Sequence, residues 1–149
     1  MRHSETTEGM NNFRDKCREH GLRVTPQRIL IYKELIKSED HPSADVLYKR
    51  VRKAQPSISF DTVFRTVQSF TEISLVGVCG AHGGPKRFDP LKKMHHHFIC
   101  TNCDKIMDFY SEVCDKVEIP KAIQKKYNIL GKKVVLEGIC PKCKNKRRK

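Results

Sequence analysis

No segment of the sequence is long and apolar enough to cross a membrane. Among its 149 residues, no apolar run approaches the roughly 20 residues of a transmembrane helix. The first residues, MRHSETTEGMNNF, also lack the apolar core of a signal peptide. Because a chain of this length can bury a core as one domain or as two small ones, we expect a globular cytoplasmic protein with no membrane partner.

Acidic side chains are scarce relative to basic ones. The chain has 17 Asp and Glu against 30 Lys and Arg, which gives a formal net charge of +13. A positive excess of this kind favours an anionic partner, and nucleic acid is the commonest one. Part of the excess lies in the C-terminal segment KCKNKRRK. A solvated, disordered tail would account for these basic residues as well as an anionic partner would.

Four of the seven cysteines form two matched pairs, Cys100 with Cys103 and Cys140 with Cys143. Each Cys-x-x-Cys turn presents two thiolates to one ion, so two such turns at the ends of a long loop are typical of a closed tetrahedral zinc site. The alternatives are disulfides, which a reducing compartment disfavours, and thioredoxin-type redox chemistry, which needs only one motif. We assign no role to Cys17, Cys79 and Cys114.

The first half of the chain has the pattern of three short helices followed by a hairpin. Thr25 and Pro26 have the N-cap and first-turn positions of one helix, and Ser43 and Ser59 are the expected starts of two more. The segment LVGVCGAHGGPKRFDP then contains two strand-like runs around a Gly-rich turn. This order predicts a winged helix-turn-helix whose third helix enters the major groove of DNA, although a generic helical bundle fits the pattern almost as well.

The third predicted helix has an apolar face and a small polar face. Helical spacing directs Phe60, Val63, Val67 and Phe70 toward the core, and it directs Thr62, Arg65, Thr66 and Ser69 outward. The candidate DNA contacts are Arg23, Gln27, Arg28, Thr62, Phe64, Arg65 and Thr66.

The second half of the chain changes from helical to strand periodicity. Strands on either side of the first Cys-x-x-Cys are predicted by the segments HFIC and KIMDF. The segment EVCDKVEIPKAIQKKYNI predicts a helix that is interrupted or entered at Pro120, and KKVVLEGIC predicts a further strand. We therefore expect an α+β protein with a winged-helix domain over residues 1–88 and a zinc-held α/β domain over 89–149. Exposed strand edges in such a small domain favour pairing with a second copy.

Three adjacent histidines precede the first Cys-x-x-Cys motif. Side chains alternate along a strand, so His95 and His97 share one face and His96 points to the other. Asp108, on the strand after the zinc turn, can lie beside the first two, and further candidates are Asp89 and His41. Nitrogen and oxygen donors without thiolate suit iron(II) or manganese(II), and imidazole also accepts zinc. Ligands drawn from both domains would let a metal ion fix the angle between them and switch DNA affinity.

The order of these motifs resembles the ferric uptake regulator superfamily of metal-dependent repressors. The motifs are TPQR, HPSADVLY, a TV-x-R helix, RFD, HxHFICTNCDKI-x-DF and a terminal C-x-x-C, and they cover about residues 13–143. The resemblance implies a homodimer that binds a palindromic operator in double-stranded DNA and takes no small organic substrate.

Within that superfamily, the chain is most similar to the peroxide-sensing branch. The resemblance implies a structural zinc site at Cys100, Cys103, Cys140 and Cys143, and a regulatory iron or manganese site at His41, Asp89, His95, His97 and Asp108. Iron-responsive members usually have Glu where this chain has Asp108. The implied mechanism is iron-catalysed oxidation of a ligand histidine, either His41 or His95, to 2-oxo-histidine, followed by release of DNA.

Three positions depart from the pattern of that branch. Phe64 stands where the family commonly has Tyr, and Arg65 stands where peroxide sensors often have Asn, so the preferred operator sequence is expected to differ. Lys132 and Lys133 stand where many family members have a His ligand of an additional metal site, which we expect this chain to lack.

Two other functions are compatible with these residues. One is an iron- or zinc-responsive repressor of metal uptake genes, which shares the fold, the zinc site and the dimer. The other is a metalloenzyme that uses the His and Asp site with an open coordination position. The basic charge and the helix-turn-helix order favour a repressor, and we expect no enzymatic turnover.

Overall fold

The computed structural model describes residues 2–80, 83–90 and 93–146, with side chains from residue 7 onward. The chain divides into two compact units, Met1–Lys92 and Lys93–Lys149. The division lies after the boundary predicted between residues 88 and 89, because Asp89 belongs to a strand of the first unit. No helix in the described ranges is long and apolar enough to span a membrane.

The first unit begins with four helices, three of which start where the sequence predicts. Their bounds are Arg2–Glu19 for α1, Pro26–Lys37 for α2, Ala44–Ala54 for α3 and Phe60–Glu72 for α4. The hydroxyls of Thr25, Ser43 and Ser59 each accept a hydrogen bond from a backbone N–H in the first turn, which stabilises the starts of α2, α3 and α4. These caps are local interactions, and the sequence predicted all three.

Helix α1 was missed by the sequence analysis, although it contributes to the core. It is mostly polar, but Met10, Phe13 and Cys17 recur at helical spacing and are buried. Phe13 stacks on Tyr32 with ring centroids 4.9 Å apart and meets Phe70 edge to face at 5.7 Å. Three apolar side chains on one helical face were the signal that could have identified α1.

Two assignments on α4 are wrong. Thr66 is buried with 7% of its surface exposed, because it lies on the same stripe as Val63 and Phe70, three residues after one and four before the other. Phe60 is 45% exposed, since it lies at the first turn and packs edge to face on Tyr48 at 5.7 Å instead of entering the core. The predicted core positions Val63, Val67 and Phe70 are confirmed.

A hairpin completes the first unit. Strand β1 (Val76–Cys79) pairs antiparallel with strand β2 (Arg87–Pro90) in the register Val76 with Pro90 and Cys79 with Arg87. The hairpin follows α4 directly, which gives the predicted order of a winged helix-turn-helix. Residues 81–82 of the predicted Gly-rich turn lie outside the described residues.

The second unit contains a three-stranded sheet in the order β4-β3-β5. Strand β3 (His96–Cys100) pairs antiparallel with β4 (Ile106–Phe109), as expected for two strands on either side of a tight Cys-x-x-Cys turn. Strand β5 (Val135–Gly138) pairs parallel with β3 and places Gly138 opposite Cys100. The parallel pairing needs a long crossover between β4 and β5.

Short helices occupy that crossover and the C-terminal segment. Helix α5 is Glu112–Asp115 and helix α6 is Lys121–Lys126, with Pro120 at the start of α6, so the predicted helix is interrupted at the proline. Helix α7, Pro141–Lys146, was not predicted and lies in the basic tail, whose residues 147–149 are outside the described part of the chain. Its Cys143 is buried, which anchors the helix at the second Cys-x-x-Cys.

Candidate metal centres and nucleic-acid interface

The two Cys-x-x-Cys motifs meet at one end of the sheet of the second unit. Cys100 ends β3, and the parallel register with β5 delivers Cys140 and Cys143 just beyond Gly138. One sulfur from each of Cys100, Cys103, Cys140 and Cys143 lies within 4.8 Å of all the others, and the Cys103 and Cys140 sulfurs are 3.8 Å apart. A tetrahedron of sulfurs about 2.3 Å from a zinc ion has edges of about 3.8 Å. Geometry and donor set therefore fit structural zinc, as predicted.

The surroundings of the cysteine cluster prepare one thiol for metal binding. The backbone N–H of Cys140 donates to the Cys100 sulfur at 3.3 Å, and this hydrogen bond is the main cause that lowers the pKa of Cys100 to about 6. For Cys103, the backbone N–H of Lys105 lowers the pKa, but the neighbouring thiols of Cys100 and Cys143 outweigh it and raise the pKa to about 12. A bound cation would remove the repulsion between thiolates that opposes ionisation of Cys103.

A second group of donor atoms converges on the face of β3 opposite His96. The Nε2 atoms of His95 and His97 are 3.2 Å apart, and the Asp108 Oδ1 atom lies 3.6 Å from the first and 3.3 Å from the second. Asp108 is placed there because it is the cross-strand partner of His97. Three donors at this spacing can all contact one ion, since metal–nitrogen bonds are about 2.1 Å long.

A hydrogen bond orients His95 for metal binding. Its Nδ1 donates to the backbone carbonyl of Lys93 at 2.8 Å, so the proton is on Nδ1 and the lone pair of Nε2 faces His97 and Asp108. A backbone acceptor on the second ring nitrogen is the usual way in which proteins fix the tautomer of a ligand histidine. Two imidazoles and a carboxylate, without thiolate, suit iron(II), manganese(II) or zinc.

His96 lies on the other face of β3, as the strand alternation predicts. It is fully buried, and its Nε2 pairs with Asp115 at 2.9 Å. The backbone N–H of Val134 donates to its Nδ1 at 3.1 Å, so Nε2 carries the proton and donates to Asp115.

Lys132 is one of the two lysines that stand where many family members have a histidine ligand. Its ammonium group donates to the Val117 carbonyl at 2.6 Å.

The remaining two ligand candidates are neighbours within the first unit. His41, in the loop between α2 and α3, has its Nε2 atom 3.9 Å from Asp89 Oδ1, and each side chain is 3% exposed. The sequence analysis missed the residues that hold this loop, namely Asp40, Arg50 and Arg87, because they are far apart in sequence and no local pattern indicates that they meet.

Of the four predicted DNA contacts on α4, Phe64 and Arg65 are exposed, Thr62 is half-buried and Thr66 is buried. Arg65 projects into solvent, and its Nε is 2.9 Å from Asp61, one turn earlier. Phe64 is 42% exposed and stacks on Phe60 with ring centroids 6.1 Å apart. A guanidinium suits guanine, and an exposed phenyl ring suits the thymine methyl group. Thr66 does not face solvent, because it is buried.

The other predicted DNA contacts lie near helix starts. Thr62 is half-buried, and its hydroxyl is 2.8 Å from that of Ser59. Arg23 and Gln27 are exposed at the beginning of α2, while half-buried Arg28 donates from its guanidinium to the Arg23 carbonyl. Basic and amide side chains at a helix start are suited to phosphate contacts.

The sequence profile of the ferric uptake regulator family matches residues 19–137. The chain belongs to the ferric uptake regulator family. The matched region includes α4, the hairpin and every regulatory ligand candidate, whereas Cys140 and Cys143 lie just beyond its end. Ferric uptake regulator proteins are transcriptional regulators and not enzymes.

The chain is similar to proteins named as peroxide regulators and to one named as a metal uptake regulator. A peroxide operon regulator from Bacillus subtilis is 35% identical over 132 residues, which cover 89% of this chain and 91% of the relative. The crystal structure of a Campylobacter jejuni peroxide stress regulator matches with a TM-score of 0.69 at 30% identity, over 85% of this chain and 95% of that one. A zinc-bound manganese uptake regulator matches with a TM-score of 0.65 at 27% identity, over 85% and 97% of the two chains. These matches confirm the predicted α+β fold class.

Proposed function

We propose that this chain is a metal-dependent repressor that leaves its operator when hydrogen peroxide oxidises a ligand histidine. The observation that carries the proposal is the convergence of His95, His97 and Asp108 at 3.2 to 3.6 Å on one face of the sheet. The 35% sequence identity to a peroxide operon regulator, over 89% of this chain, supports hydrogen peroxide as the signal.

Two metals have separate roles in this proposal. Zinc in the Cys100, Cys103, Cys140 and Cys143 cluster is structural, because four thiolates close its shell and leave no position for exchange. Iron(II) or manganese(II) is regulatory and is held by nitrogen and oxygen donors, which bind these ions reversibly. The proposed regulatory ligands are His41, Asp89, His95, His97 and Asp108.

The proposed switch works through the distribution of these ligands between the two units. His41 and Asp89 belong to the first unit, and His95, His97 and Asp108 belong to the second. An ion that binds both sets of ligands has a higher affinity for conformations in which the two sets are close than for conformations in which they are apart. Metal binding therefore shifts the population toward the close conformations. Loss of one ligand removes that bias, so DNA affinity falls without any change at α4 itself.

The peroxide step needs chemistry that imidazole alone lacks. Bound iron(II) would activate hydrogen peroxide for attack on an adjacent ligand. The net change is insertion of one oxygen atom from peroxide into a ring C–H bond of His41 or His95, with release of one water molecule, which gives 2-oxo-histidine. The reaction consumes the sensor once, so it is a signal and not turnover.

The second unit has an apolar surface suited to a second copy of the chain. Strand β5 is an edge strand, and its Val135 and Leu136 are each 48% exposed. Leu130, just before β5, is 94% exposed, and Tyr127, just after α6, is 55% exposed. Exposed apolar side chains on and near an edge strand favour pairing between copies. A homodimer would present two α4 helices to the two halves of a palindromic operator.

A second candidate is an iron- or zinc-responsive repressor of metal uptake genes. Arg65 favours it, because that arginine resembles the iron-responsive branch and not the peroxide-sensing one. Both candidates share the fold, the zinc site and the dimer, so only the response to peroxide separates them.

Operator binding before and after peroxide tests the proposed function. A palindromic duplex is first selected from random sequences with the manganese-loaded protein, and the protein is then loaded with iron(II) or manganese(II) without oxygen. We expect about one equivalent of hydrogen peroxide to release DNA from the iron form only, since oxidation of a ligand needs the redox-active ion. Mass spectrometry should find one added oxygen on the peptide that contains His41 or His95.

Fresh metal should not restore binding of the oxidised protein, because the ligand itself has changed. An iron form that remains on DNA after peroxide, with unmodified histidines, would select the metal-uptake repressor instead.

Replacing Arg65 with alanine should weaken operator binding by about 1–3 kcal/mol while leaving metal binding unchanged, because a guanidinium that reads a base edge contributes that much. Fluorescence anisotropy with matched and single-base-changed duplexes measures the effect. Lys116→Ala is the matched control, since Lys116 is equally exposed and has the same i,i+4 ion pair, with Glu112 in the second unit. Equal affinity of Arg65→Ala and the control on every duplex would place recognition elsewhere.

A further inference from the structure

The loop between α2 and α3 holds His41 in a backbone conformation that side chains rarely adopt. His41 has φ = 50°, in the left-handed region, where a Cβ atom crowds the following carbonyl. The loop is short, running from Ser38, which caps α2, to Ser43, which caps α3. A conformation of this kind persists only when surrounding contacts hold it.

Arg50, on α3, binds the first part of the loop. Its guanidinium makes two parallel contacts with the Asp40 carboxylate, at 2.9 Å and 2.6 Å, and a third with the Ser38 hydroxyl at 2.9 Å. Ser38 in turn donates to the Glu34 carbonyl of α2 at 2.8 Å. Arg50 thus connects α3, the loop and the end of α2 through one planar group, which a lysine could not do with the same geometry.

Arg87, on β2, binds the second part of the loop. Its guanidinium donates from Nε to the carbonyl of His41 and from a terminal nitrogen to the carbonyl of Asp40. The neighbouring strand residue Phe88 donates its backbone N–H to the Pro42 carbonyl at 3.0 Å. The backbone on both sides of the His41 side chain is therefore bonded to the hairpin.

Asp40 lies between the two arginines. Its carboxylate accepts two parallel hydrogen bonds from the Arg50 guanidinium, and its backbone carbonyl accepts one from the Arg87 guanidinium. A bidentate contact of this kind is charge-assisted and fixes geometry as well as adding energy.

We propose that Arg50 and Arg87 are positioning residues for His41, which order its loop before metal binds. The inference rests on the proposed function, in which His41 is a regulatory ligand. Without the arginines, metal binding would have to order the loop, and that cost would lower metal affinity. Neither arginine is among the predicted DNA contacts or the zinc ligands, so we expect their loss to act through metal affinity.

The test compares Arg50→Gln, Arg87→Gln and Asp40→Asn with His41→Ala and the control Lys49→Gln. Lys49 lies beside Arg50 on α3 and pairs with Asp45 at 2.7 Å, so its variant also loses one charge and one ion pair, but away from the loop. Manganese(II) affinity is measured by the paramagnetic resonance signal of free manganese, and amide hydrogen exchange of Glu39, Asp40 and His41 is measured without manganese.

We expect Arg50→Gln, Arg87→Gln and Asp40→Asn each to lose about 10-fold to 100-fold in manganese affinity, the usual effect of removing an outer-shell partner. The three loop amides should exchange faster, zinc content should be unchanged, and saturating manganese should restore operator binding, which it would not do for a damaged DNA-binding unit. Lys49→Gln should behave as the unchanged protein in all four measurements.

Two results would overturn the proposal in different ways. Unchanged manganese affinity in Arg50→Gln, Arg87→Gln and Asp40→Asn, with a large loss in His41→Ala, would refute the positioning role and leave the proposed function intact. Unchanged affinity in His41→Ala would show that His41 is not a ligand, and both the positioning role and this part of the proposed function would be wrong.

Discussion

Replacing Cys143 with serine is expected to remove zinc, the folded second unit and the dimer together. Cys143 is one of four sulfurs within 4.8 Å of one another, and it forms a buried cluster with Cys100 and Cys140 at that end of the sheet, with Phe98 and Ile139 against it. Structural zinc contributes on the order of 10 kcal/mol to folding in small zinc domains. Without one thiolate we expect the zinc ion to be lost together with this contribution. A typical domain is stable by about 5–15 kcal/mol, so the lost free energy would be most or all of the stability of the unit.

Elemental analysis for zinc, circular dichroism and sedimentation velocity measure the three losses separately. Cys114→Ser is the matched control, because Cys114 lies in the same unit on α5 and belongs to neither metal cluster. Cys100→Ser should behave like Cys143→Ser, since both sulfurs belong to the same cage. A folded dimer of Cys143→Ser without zinc would show that the cage is not what holds this unit together.

Replacing His97 with alanine is expected to abolish metal-dependent operator binding while keeping zinc and the dimer. The His97 Nε2 atom lies 3.2 Å from the His95 ring nitrogen and 3.3 Å from the Asp108 carboxylate, so it occupies the centre of the donor group. Removal of an outer-shell partner alone costs about 10-fold to 100-fold in metal affinity, and removal of a direct ligand should cost more than about 100-fold.

Manganese affinity and anisotropy of a labelled operator duplex, at increasing manganese concentration, measure the effect. His20→Ala is the control for loss of an imidazole, because His20 is exposed near the end of α1 and is not among the ligand candidates. Operator binding by His97→Ala at the manganese concentration that suffices for the unchanged protein would exclude His97 as a regulatory ligand.

The contrast between these two variants tests whether the metal sites are independent. Cys100 and His97 lie on the same strand, three residues apart, but their side chains serve different ions. Zinc loss should abolish manganese binding, because β3 would no longer be held in its sheet. Manganese loss should leave zinc bound, because no ligand of the cage depends on the histidine face.

Short-range signals in the sequence were sufficient for much of the fold and for parts of both candidate ligand groups. Thr25, Ser43 and Ser59 are helix caps that depend only on their own first turns, and all three were predicted correctly. The grouping of His95 with His97 follows from strand alternation, and the Cys-x-x-Cys turns follow from their own spacing. Each of these features is decided by residues a few positions apart.

Only the tertiary structure decided the features that depend on distant residues. Helix α1 is defined as part of the core by the contacts of Phe13 with Tyr32 and Phe70, which a polar helix sequence does not reveal. The burial of Thr66 depends on what packs against α4, and helical spacing alone placed it on the wrong face.

The loop of His41 shows the same division between local and distant information. The sequence by itself identified His41 as a ligand candidate, but its left-handed backbone is held by the bonds of its loop to Arg50 and Arg87, on a helix and a strand that follow it in the chain. A motif shows which side chain is present, whereas the position of that side chain is determined by the residues that bind its backbone. Arg87, which binds the His41 carbonyl, is 46 residues away, beyond the reach of any local pattern.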